Sequence, residues 1–220
     1  QDVANVLKFS VPFQGGFDGL DPAIPIKVGS DILPGNTSGM DCSGAASPGS
    51  LAYKKALAVL ANGDEYDINL LVAPGITQAE HSSVVDAIIE TAETREDTFA
   101  IVDPIKLGAT PAEAIASIAD SSLDSSYAGV YWPWVKTIDA DLRKPVWVPP
   151  SVLMPRVIAN NDALGYEWFA PAGLNRGGLL DAVDVERKLN TELSGELYTN
   201  RINPIASFPG QGIVCWGQNT

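Results

Sequence analysis

Cysteine and histidine are scarce in this sequence, which limits the chemistry that it can support. Its 220 residues include two cysteines, two methionines and one histidine. Cys42 and Cys215 lie far apart, so the sequence offers neither a disulfide framework nor a cluster that would hold zinc. Cys215 sits in an apolar run and is expected to be a small buried hydrophobic residue. His81 falls in the first turn of a predicted helix, on its polar side, and we expect it to be exposed.

Positive charge is also scarce. The chain has 14 basic and 27 acidic residues, which gives a net charge of −13. Binding to nucleic-acid phosphates requires a basic surface, so this charge argues against a nucleic-acid partner. No run reaches the ~18 apolar residues of a membrane-spanning helix, and we expect no membrane insertion. The chain starts at Gln1 without a signal-peptide pattern, so we expect a fragment or a processed product.

Several well-known catalytic motifs are missing. The sequence has no Gly-x-Ser-x-Gly nucleophile elbow. It has neither a phosphate-binding loop ending in Gly-Lys-Ser/Thr nor a Gly-x-Gly-x-x-Gly dinucleotide fingerprint. Two aspartate pairs, Asp18 with Asp21 and Asp139 with Asp141, supply too few ligands for calcium. We therefore predict no catalytic residue, no cofactor and no metal site.

What the sequence does contain is a regular alternation of helical and strand patterns. Three predicted helices begin with capping signals, which lie at Ser47-Pro48, at the capping box Thr77/Glu80 and at the capping box Thr110/Glu113. The first of these helices is expected to end at Gly63. Buried strands are predicted between them, at 68–73, 99–102 and 128–132, each followed by a proline or by Asp-Pro. This alternation is typical of parallel strands joined by helical crossovers. We predict an α/β fold with a mixed, mainly parallel sheet and helices on both faces.

The N-terminal region has a different character. Leu7, Phe9, Val11 and Phe13 alternate with polar or small residues, which predicts a half-buried strand. Residues 20–46 show no periodicity and are interrupted by prolines and glycines, which indicates a long surface loop. We therefore divide the chain into an irregular N-terminal strand and loop region, 1–46, and an α/β body, 47–220.

The third quarter of the chain is less regular. Residues 145–150 predict a short edge strand because prolines bracket it. Residues 151–162 predict a helix with Pro155 in about its first turn, where a missing N–H costs least. Residues 168–173 form an apolar loop or a short strand.

The C-terminal part combines a predicted helix with a predicted central strand. Residues 186–200 have a helical pattern that Gly195 weakens by ~1 kcal/mol relative to alanine. Asn203-Pro204 is expected to mark an edge or a turn, because proline cannot donate to a strand ladder. The run 213–216 is apolar without alternation, so we expect a strand buried on both faces in the middle of the sheet.

The strand ends offer one enzymatic alternative. In an open α/β sheet, ligands bind beyond the carboxyl ends of the strands. The residues expected there are Pro74, Gly75, Asp103, Pro104, Lys106, Trp132, Pro133, Trp134 and Lys136. Asp103 and Lys106 could act as an acid–base pair. The competing interpretation is that Asp103 caps the turn and Lys106 is a solvated charge, and the prolines at all three strand ends favour it.

A second alternative is a carbohydrate-binding surface built from tryptophans. The candidates are Trp132, Trp134, Trp147 and Trp168. Prolines or apolar residues bracket them, which favours packing in the core and at interfaces.

Seven short blocks along the chain carry a family resemblance. They are 15–19 (Gly-Gly-Phe-Asp-Gly), 69–75 (Asn-Leu-Leu-Val-Ala-Pro-Gly), 95–104 (Arg-Glu-Asp-Thr-Phe-Ala-Ile-Val-Asp-Pro), 131–134 (Tyr-Trp-Pro-Trp), 148–151 (Val-Pro-Pro-Ser), 168–172 (Trp-Phe-Ala-Pro-Ala) and 203–217, with Asn-Pro-Ile followed by Phe-Pro-Gly-Gln-Gly-Ile and Trp-Gly. Together, in this order, they resemble the signature of contractile tail sheath proteins of bacteriophages and related injection machines. Gln211 departs from the arginine usual in the family. Pro155 and Arg156 stand where the family tends to have small residues.

The resemblance implies a structural protein and no enzymatic activity. It implies partners: copies of itself in a helical sheath, a tail tube, a baseplate and a tail terminator. The expected location is the virion, with assembly in the host cytoplasm. The resemblance also implies that an N-terminal segment and a C-terminal domain of the full-length protein are absent, and that these ends pair with neighbouring subunits. Without them, we expect the chain to be monomeric.

Overall fold

A computed structural model describes residues 41–121, 123–141, 143–166 and 168–220. The predicted strand with Leu7 to Phe13 and most of the predicted loop 20–46 lie outside these residues, so the proposed N-terminal region stays a prediction. In the described part of the chain, no helix is both long enough and apolar enough to cross a membrane.

Helices and strands alternate along the described residues. The helices are α1 (Pro48–Leu60), α2 (Gln78–Arg95), α3 (Pro111–Ala119), α4 (Pro150–Leu164) and α5 (Thr191–Thr199). The strands are β1 (Leu70–Thr77), β2 (Phe99–Asp103), β3 (Ala128–Trp132), β4 (Val135–Ile138), β5 (Pro145–Val148), β6 (Ala182–Val185), β7 (Ile202–Phe208) and β8 (Gly212–Cys215).

The strands form two sheets. The larger sheet has the order β1-β2-β3-β7-β8, in which the first four strands are parallel and β8 is antiparallel to β7. The smaller sheet is antiparallel, with the order β5-β4-β6. The predicted mixed, mainly parallel sheet is therefore confirmed, and β5 is an edge strand as predicted. The sequence did not predict β4 and β6, because four residues are too few for a clear period.

The larger sheet is covered on both faces by apolar layers. Ala100 and Val102 of β2 face one layer, while Ile101 between them faces the other, as strand geometry requires. The first layer contains the buried stripe of α2, which is Val84, Val85, Ile88, Ile89 and Ala92. The second layer packs α4 and the smaller sheet through Met154, Val157, Val135 and Val185. Each fully buried valine or isoleucine stabilises the fold by roughly 1.5–3 kcal/mol.

The predicted end of β1 at Pro74-Gly75 is wrong. The strand runs through both residues to Thr77, which pairs with Asp103 across an irregular register. β1 is an edge strand, so the missing N–H of Pro74 does not break a ladder. Gly75 has φ +87°, a conformation that glycine adopts without the strain that a side chain adds.

The predicted central position of 213–216 is also wrong. β8 lies at the sheet edge, and Trp216 is 46% exposed. Ile213, Val214 and Cys215 are nevertheless buried, because a loop bonds to the outer edge of the strand: Leu179 N–H donates to the Ile213 carbonyl at 2.9 Å. A covered edge thus has the same apolar pattern as a central strand.

Pro204 lies inside β7 and not at the predicted edge or turn. It pairs with Trp132, the last residue of β3, so no further ladder bond on that side depends on its N–H. Its carbonyl accepts a hydrogen bond from the Trp216 N–H at 2.8 Å.

Two helix boundaries also differ from the prediction. α1 ends at Leu60, before Gly63, with Ala61 as its C-cap. α5 begins only at Thr191, because the Asn190 side chain accepts from the Leu193 N–H at 2.8 Å and caps the helix there.

A buried arginine joins α1 to the end of α2. The side chain of Arg95 is 0% exposed, and its guanidinium donates to the carbonyls of Leu60 at 2.6 Å and Tyr66 at 2.8 Å. It also forms two bonds of 2.9 Å to the Asp97 carboxylate and one of 2.9 Å to the Thr98 hydroxyl. The planar donor fork of arginine satisfies all five acceptors at once.

Replacing this arginine should destabilise the fold. Lysine in Arg95→Lys keeps the charge but loses the fork, which leaves buried acceptors unsatisfied. We expect the free energy of unfolding to fall by about 2–4 kcal/mol in chemical denaturation. The exposed Arg187→Lys is the matched control and should change stability by less than about 0.5 kcal/mol. Equal effects of the two substitutions would contradict this role.

Candidate functional site

The carboxyl end of β2 carries the first candidate residue, Asp103. It is buried, and its Oδ1 accepts from the Ser151 N–H at 3.1 Å while Oδ2 accepts from the Ser151 hydroxyl at 2.5 Å. Ser151 lies in the first turn of α4, where backbone N–H groups lack partners in the helix. Both oxygens of Asp103 are therefore engaged in fixing α4 on the sheet.

Lys106, the proposed partner of Asp103, is directed elsewhere. Its ammonium is exposed and forms an ion pair with Glu80 at 2.6 Å. No ion pair joins it to Asp103, both residues being in the described part of the chain. The Trp134 indole N–H donates to the carbonyl of Ile105 at 2.9 Å. Asp103 thus has a structural role, but it bonds to Ser151 at the start of α4 and not to the turn that it was predicted to cap. Lys106 is paired with Glu80 and is not simply a solvated charge.

Asp103 makes stability depend on pH. Burial raises its pKa to about 7 from 3.8, despite the opposing hydrogen bonds from Ser151. The Asp103 carboxyl group therefore stays protonated in the folded chain at pH values where it is ionised in the unfolded chain. The contribution of this protonation to the free energy of unfolding is fully present below pH 3.8. It is lost as pH rises through about 7, by about 1.4 kcal/mol per pH unit.

The substitution Asp103→Asn tests the direction of this pH dependence, because the amide has the shape of the carboxyl group and does not titrate. Relative to the variant, the wild type should lose about 1.4 kcal/mol of unfolding free energy per unit between about pH 5 and about pH 7. Chemical denaturation of both proteins over this range provides the measurement. Parallel stability profiles for the two proteins would show that the carboxyl does not titrate there.

His81 is buried, so the predicted exposed position is wrong. It lies at a kink in α2 with φ −135° and ψ 39°, and its Nδ1 accepts from the Thr77 N–H at 3.1 Å. The predicted capping box is also wrong, because the Thr77 side chain forms no capping bond and Glu80 pairs with Lys106. The second box is confirmed: Thr110 and Glu113 exchange both bonds at the start of α3.

The aspartates considered for calcium do not assemble a site in the described residues. The Asp139 carboxylate accepts from the Asp141 N–H at 2.8 Å, which closes a local turn. No group of three or more potential metal ligands occurs among the residues that the structure describes. Asp18 and Asp21 lie outside them.

The four tryptophans considered for sugar binding have different environments. Trp132 is fully buried, and Trp134 is half-buried with its indole N–H bonded to the backbone. Trp147 is half-buried under the Lys136 ammonium, which lies 5.0 Å from the ring centroid. Trp168 is 76% exposed. The four tryptophans therefore lie in different environments, and only Trp168 is largely exposed.

A groove of about 570 Å³ lies between α5 and the β7–β8 hairpin. Its aromatic lining residues are Tyr198, Phe208 and Trp216, and the rings of Phe208 and Trp216 lie 4.9 Å apart. Tyr198 carries the only titratable side chain in the lining, so the groove presents no acid–base pair.

An exposed aromatic cluster follows α4. Tyr166 and Trp168 stack with centroids 4.6 Å apart and planes at 7°, and Phe169 meets Tyr166 edge to face at 5.5 Å. The Arg176 guanidinium lies over the Phe169 ring at 4.5 Å. We call Tyr166, Trp168 and Phe169 the aromatic platform. The sequence prediction noted Trp168 but missed Tyr166 and Arg176, although three aromatic residues within four positions were a visible signal.

The loop that follows the platform is fixed to the body. The Asn161 side chain donates to the Phe169 carbonyl at 2.7 Å. Gly173 N–H donates to the Cys215 carbonyl at 2.8 Å, and Cys215 N–H donates to the Gly177 carbonyl at 2.7 Å. The platform therefore projects from a segment that is hydrogen-bonded to β8 and α4.

Gly177 is required for this close approach. A Cβ at this position would lie 2.4 Å from the Cys215 carbonyl oxygen. Gly177→Ala should therefore displace the loop from β8 and lower the free energy of unfolding by about 2–3 kcal/mol. The control is Gly195→Ala on α5, where a Cβ meets nothing within 4 Å and should stabilise the helix by about 0.5–1 kcal/mol. Chemical denaturation should show a lower free energy of unfolding for Gly177→Ala and a higher one for Gly195→Ala. An unchanged free energy of unfolding for Gly177→Ala would refute the close approach of the loop to β8.

The chain matches one protein-family model over most of its length. Residues 48–220 match the model described as the phage tail sheath protein central domain. Three curated tail sheath proteins are similar to it. That of Enterobacteria phage T4 is 24% identical over 178 residues, and that of Vibrio phage KVP40 is 24% identical over 199. That of Salmonella phage ViI is 28% identical over 171 residues.

These matches cover most of this chain but a minor part of each relative. They include 73%, 80% and 75% of this chain, and 27%, 30% and 26% of the T4, KVP40 and ViI proteins. The chain thus spans less than a third of the length of these relatives.

Two solved structures of the anti-feeding prophage share the fold. A chain of its baseplate, 6-fold symmetrised, matches with a TM-score of 0.56 at 26% identity, over 74% of this chain and 41% of that chain. A chain of its helical sheath in the contracted state matches with a TM-score of 0.55 at 27% identity, over 74% and 42%. Both are cryo-EM structures.

Proposed function

Because its residues 48–220 match the central-domain model, the chain belongs to the phage tail sheath protein family, and we propose that the whole protein is a structural subunit of a contractile tail sheath. The family match carries this proposal. The three curated relatives are tail sheath proteins, and a structural neighbour belongs to a helical sheath in the contracted state.

In this proposal, copies of the whole protein form a helical array around a tail tube. The array is assembled in an extended, metastable state and slides into a shorter, wider one, which drives the tube through the host cell envelope. Two conditions follow from physics. The contacts between copies must be heterologous, because only these generate an open helix. Two packings of the same subunits must also differ in free energy.

The α/β body supports such a role through its rigidity. Apolar layers cover both faces of the larger sheet, Arg95 fastens α1 to α2, and Asp103 fixes α4. A body of this kind can move as a unit while its contacts change. We propose that residues 1–46 form a separate N-terminal region. Further segments of the longer protein would add strands to the sheet of a neighbour, a linkage that survives sliding.

The partners follow from the same proposal. A similar chain occurs in the anti-feeding prophage baseplate, which supports contact between this protein and a baseplate. The tail tube and a tail terminator complete the set. The protein would assemble in the host cytoplasm and function in the virion.

Assembly of the longer protein tests the proposal. We expect the longer protein to form tubes that are visible by negative-stain electron microscopy. The 220-residue chain alone should scatter light as a 23.2 kDa monomer, because the strand-adding segments would be missing. A longer protein that never enters a tubular assembly would refute the proposed function. Tubes formed by the 220-residue chain alone would refute the role of the added segments.

A further inference from the structure

The aromatic platform is exposed although its rings contact one another. Tyr166 is 59% exposed, Trp168 76% and Phe169 37%. The Asn161 side chain donates to the Phe169 carbonyl. The Phe169 ring lies close to Gly165, where an added Cβ would come within 2.7 Å of it. The cluster is thus a continuous apolar surface, and exposed apolar patches of a few hundred Å² on folded domains are often functional.

The size of this surface indicates the kind of contact it can make. A large aromatic side chain buries 150–250 Å², so the exposed fractions of the three residues correspond to about 350 Å². A stable protein pair needs ~800 Å² on each partner. The platform therefore suits a contact that is weak by itself and is repeated many times in a polymer.

Charge favours an apolar contact between copies. Each copy of this chain carries a net charge of −13, so copies repel one another over long range. The three platform side chains are uncharged, Glu167 stands between two of them in the sequence, and the Arg176 guanidinium lies over Phe169. Burial of uncharged rings provides an attraction that does not depend on the charge of the copies.

The polar groups around the platform argue for a protein partner over a sugar. Sugar sites combine an aromatic surface with a few polar groups aimed at the ligand. Here the Asn161 amide N–H donates to the Phe169 carbonyl, and the Arg176 guanidinium lies over the Phe169 ring, so neither group is aimed away from the cluster at a ligand. Tyr166 also covers one face of the Trp168 ring.

We propose that the aromatic platform of one subunit contacts a neighbouring copy of the same protein in the assembled sheath. This inference rests on the proposed function. It assigns to Tyr166, Trp168 and Phe169 a copy-to-copy contact made by the body itself, separate from any exchange of strands.

Site-specific crosslinking tests the proposal in the whole protein. A photo-reactive phenylalanine analogue replaces Trp168, and the protein is irradiated after assembly into sheaths on tubes. We expect sheath–sheath crosslinked dimers, which are absent when the same protein is irradiated unassembled. Crosslinks to the tube, or no crosslinks in assembled sheaths, would overturn the proposal. The same analogue at Val59, which is 54% exposed on α1, measures the background between neighbours. An equal dimer yield at Val59 would also overturn it.

Substitution at the same position provides an independent readout. Trp168→Ala should raise the protein concentration needed for assembly by about tenfold, as expected for a central aromatic contact. Trp168→Phe keeps a ring and should restore most of the loss. Unchanged assembly by Trp168→Ala would refute the platform contact and leave the proposed function intact. Failure of the wild-type protein to assemble would instead refute the proposed function. Denaturation of each variant confirms that the exposed position leaves the fold intact.

Addition of a glycan mixture to the assembly reaction distinguishes a neighbouring copy from a carbohydrate as the partner of the platform. If the platform binds a neighbouring copy, glycans should not compete with the crosslink at position 168. Competition would identify a carbohydrate site and overturn the proposal.

Discussion

Strand β7 (Ile202–Phe208) changes partners halfway along its length, and the rest of the body depends on that change. Residues 202–204 pair in parallel with β3, while residues 205–208 pair antiparallel with β8. The parallel sheet made by the first half of the chain is thereby joined to the final hairpin. The outer edge of β8 in turn holds Gly173, Gly177 and Leu179, so the loop behind the aromatic platform is fixed through β7.

A buried asparagine strengthens this junction. Asn203 is 0% exposed, and its amide bonds to the backbone of Asn219 in both directions, at 2.8 Å and 2.6 Å. The side chain thus acts as a peptide group would in a sheet and satisfies its own buried polar atoms. Gly217 allows this approach, because a Cβ there would lie 2.9 Å from both Asn203 Oδ1 and Pro204 Cδ. Asn203, Pro204 and Gly217 of the C-terminal block are therefore explained by one packing arrangement.

The carboxyl end of the parallel sheet is occupied by structural contacts. In many α/β proteins this edge binds ligands, but here Asp103 fixes the first turn of α4, and the Trp134 indole N–H bonds to the backbone. The prominent surface features lie elsewhere, in the platform after α4 and in the groove beside α5. This distribution agrees with the proposed function as a structural subunit.

Elements with strong local signals could be predicted from the amino-acid sequence. Helix α3 begins where Thr110 and Glu113 form their capping box, and β3 occupies the predicted residues, because short-range periodicity and capping are encoded within a few positions. The family resemblance, carried by motifs, was likewise visible in the sequence. Three features became visible only in the folded chain: the position of β8 at a covered edge, the burial of His81 and the pairing of Lys106 with Glu80. These outcomes depend on residues that are distant in sequence, and a local pattern does not record which segment will cover an edge or which charge will lie nearby.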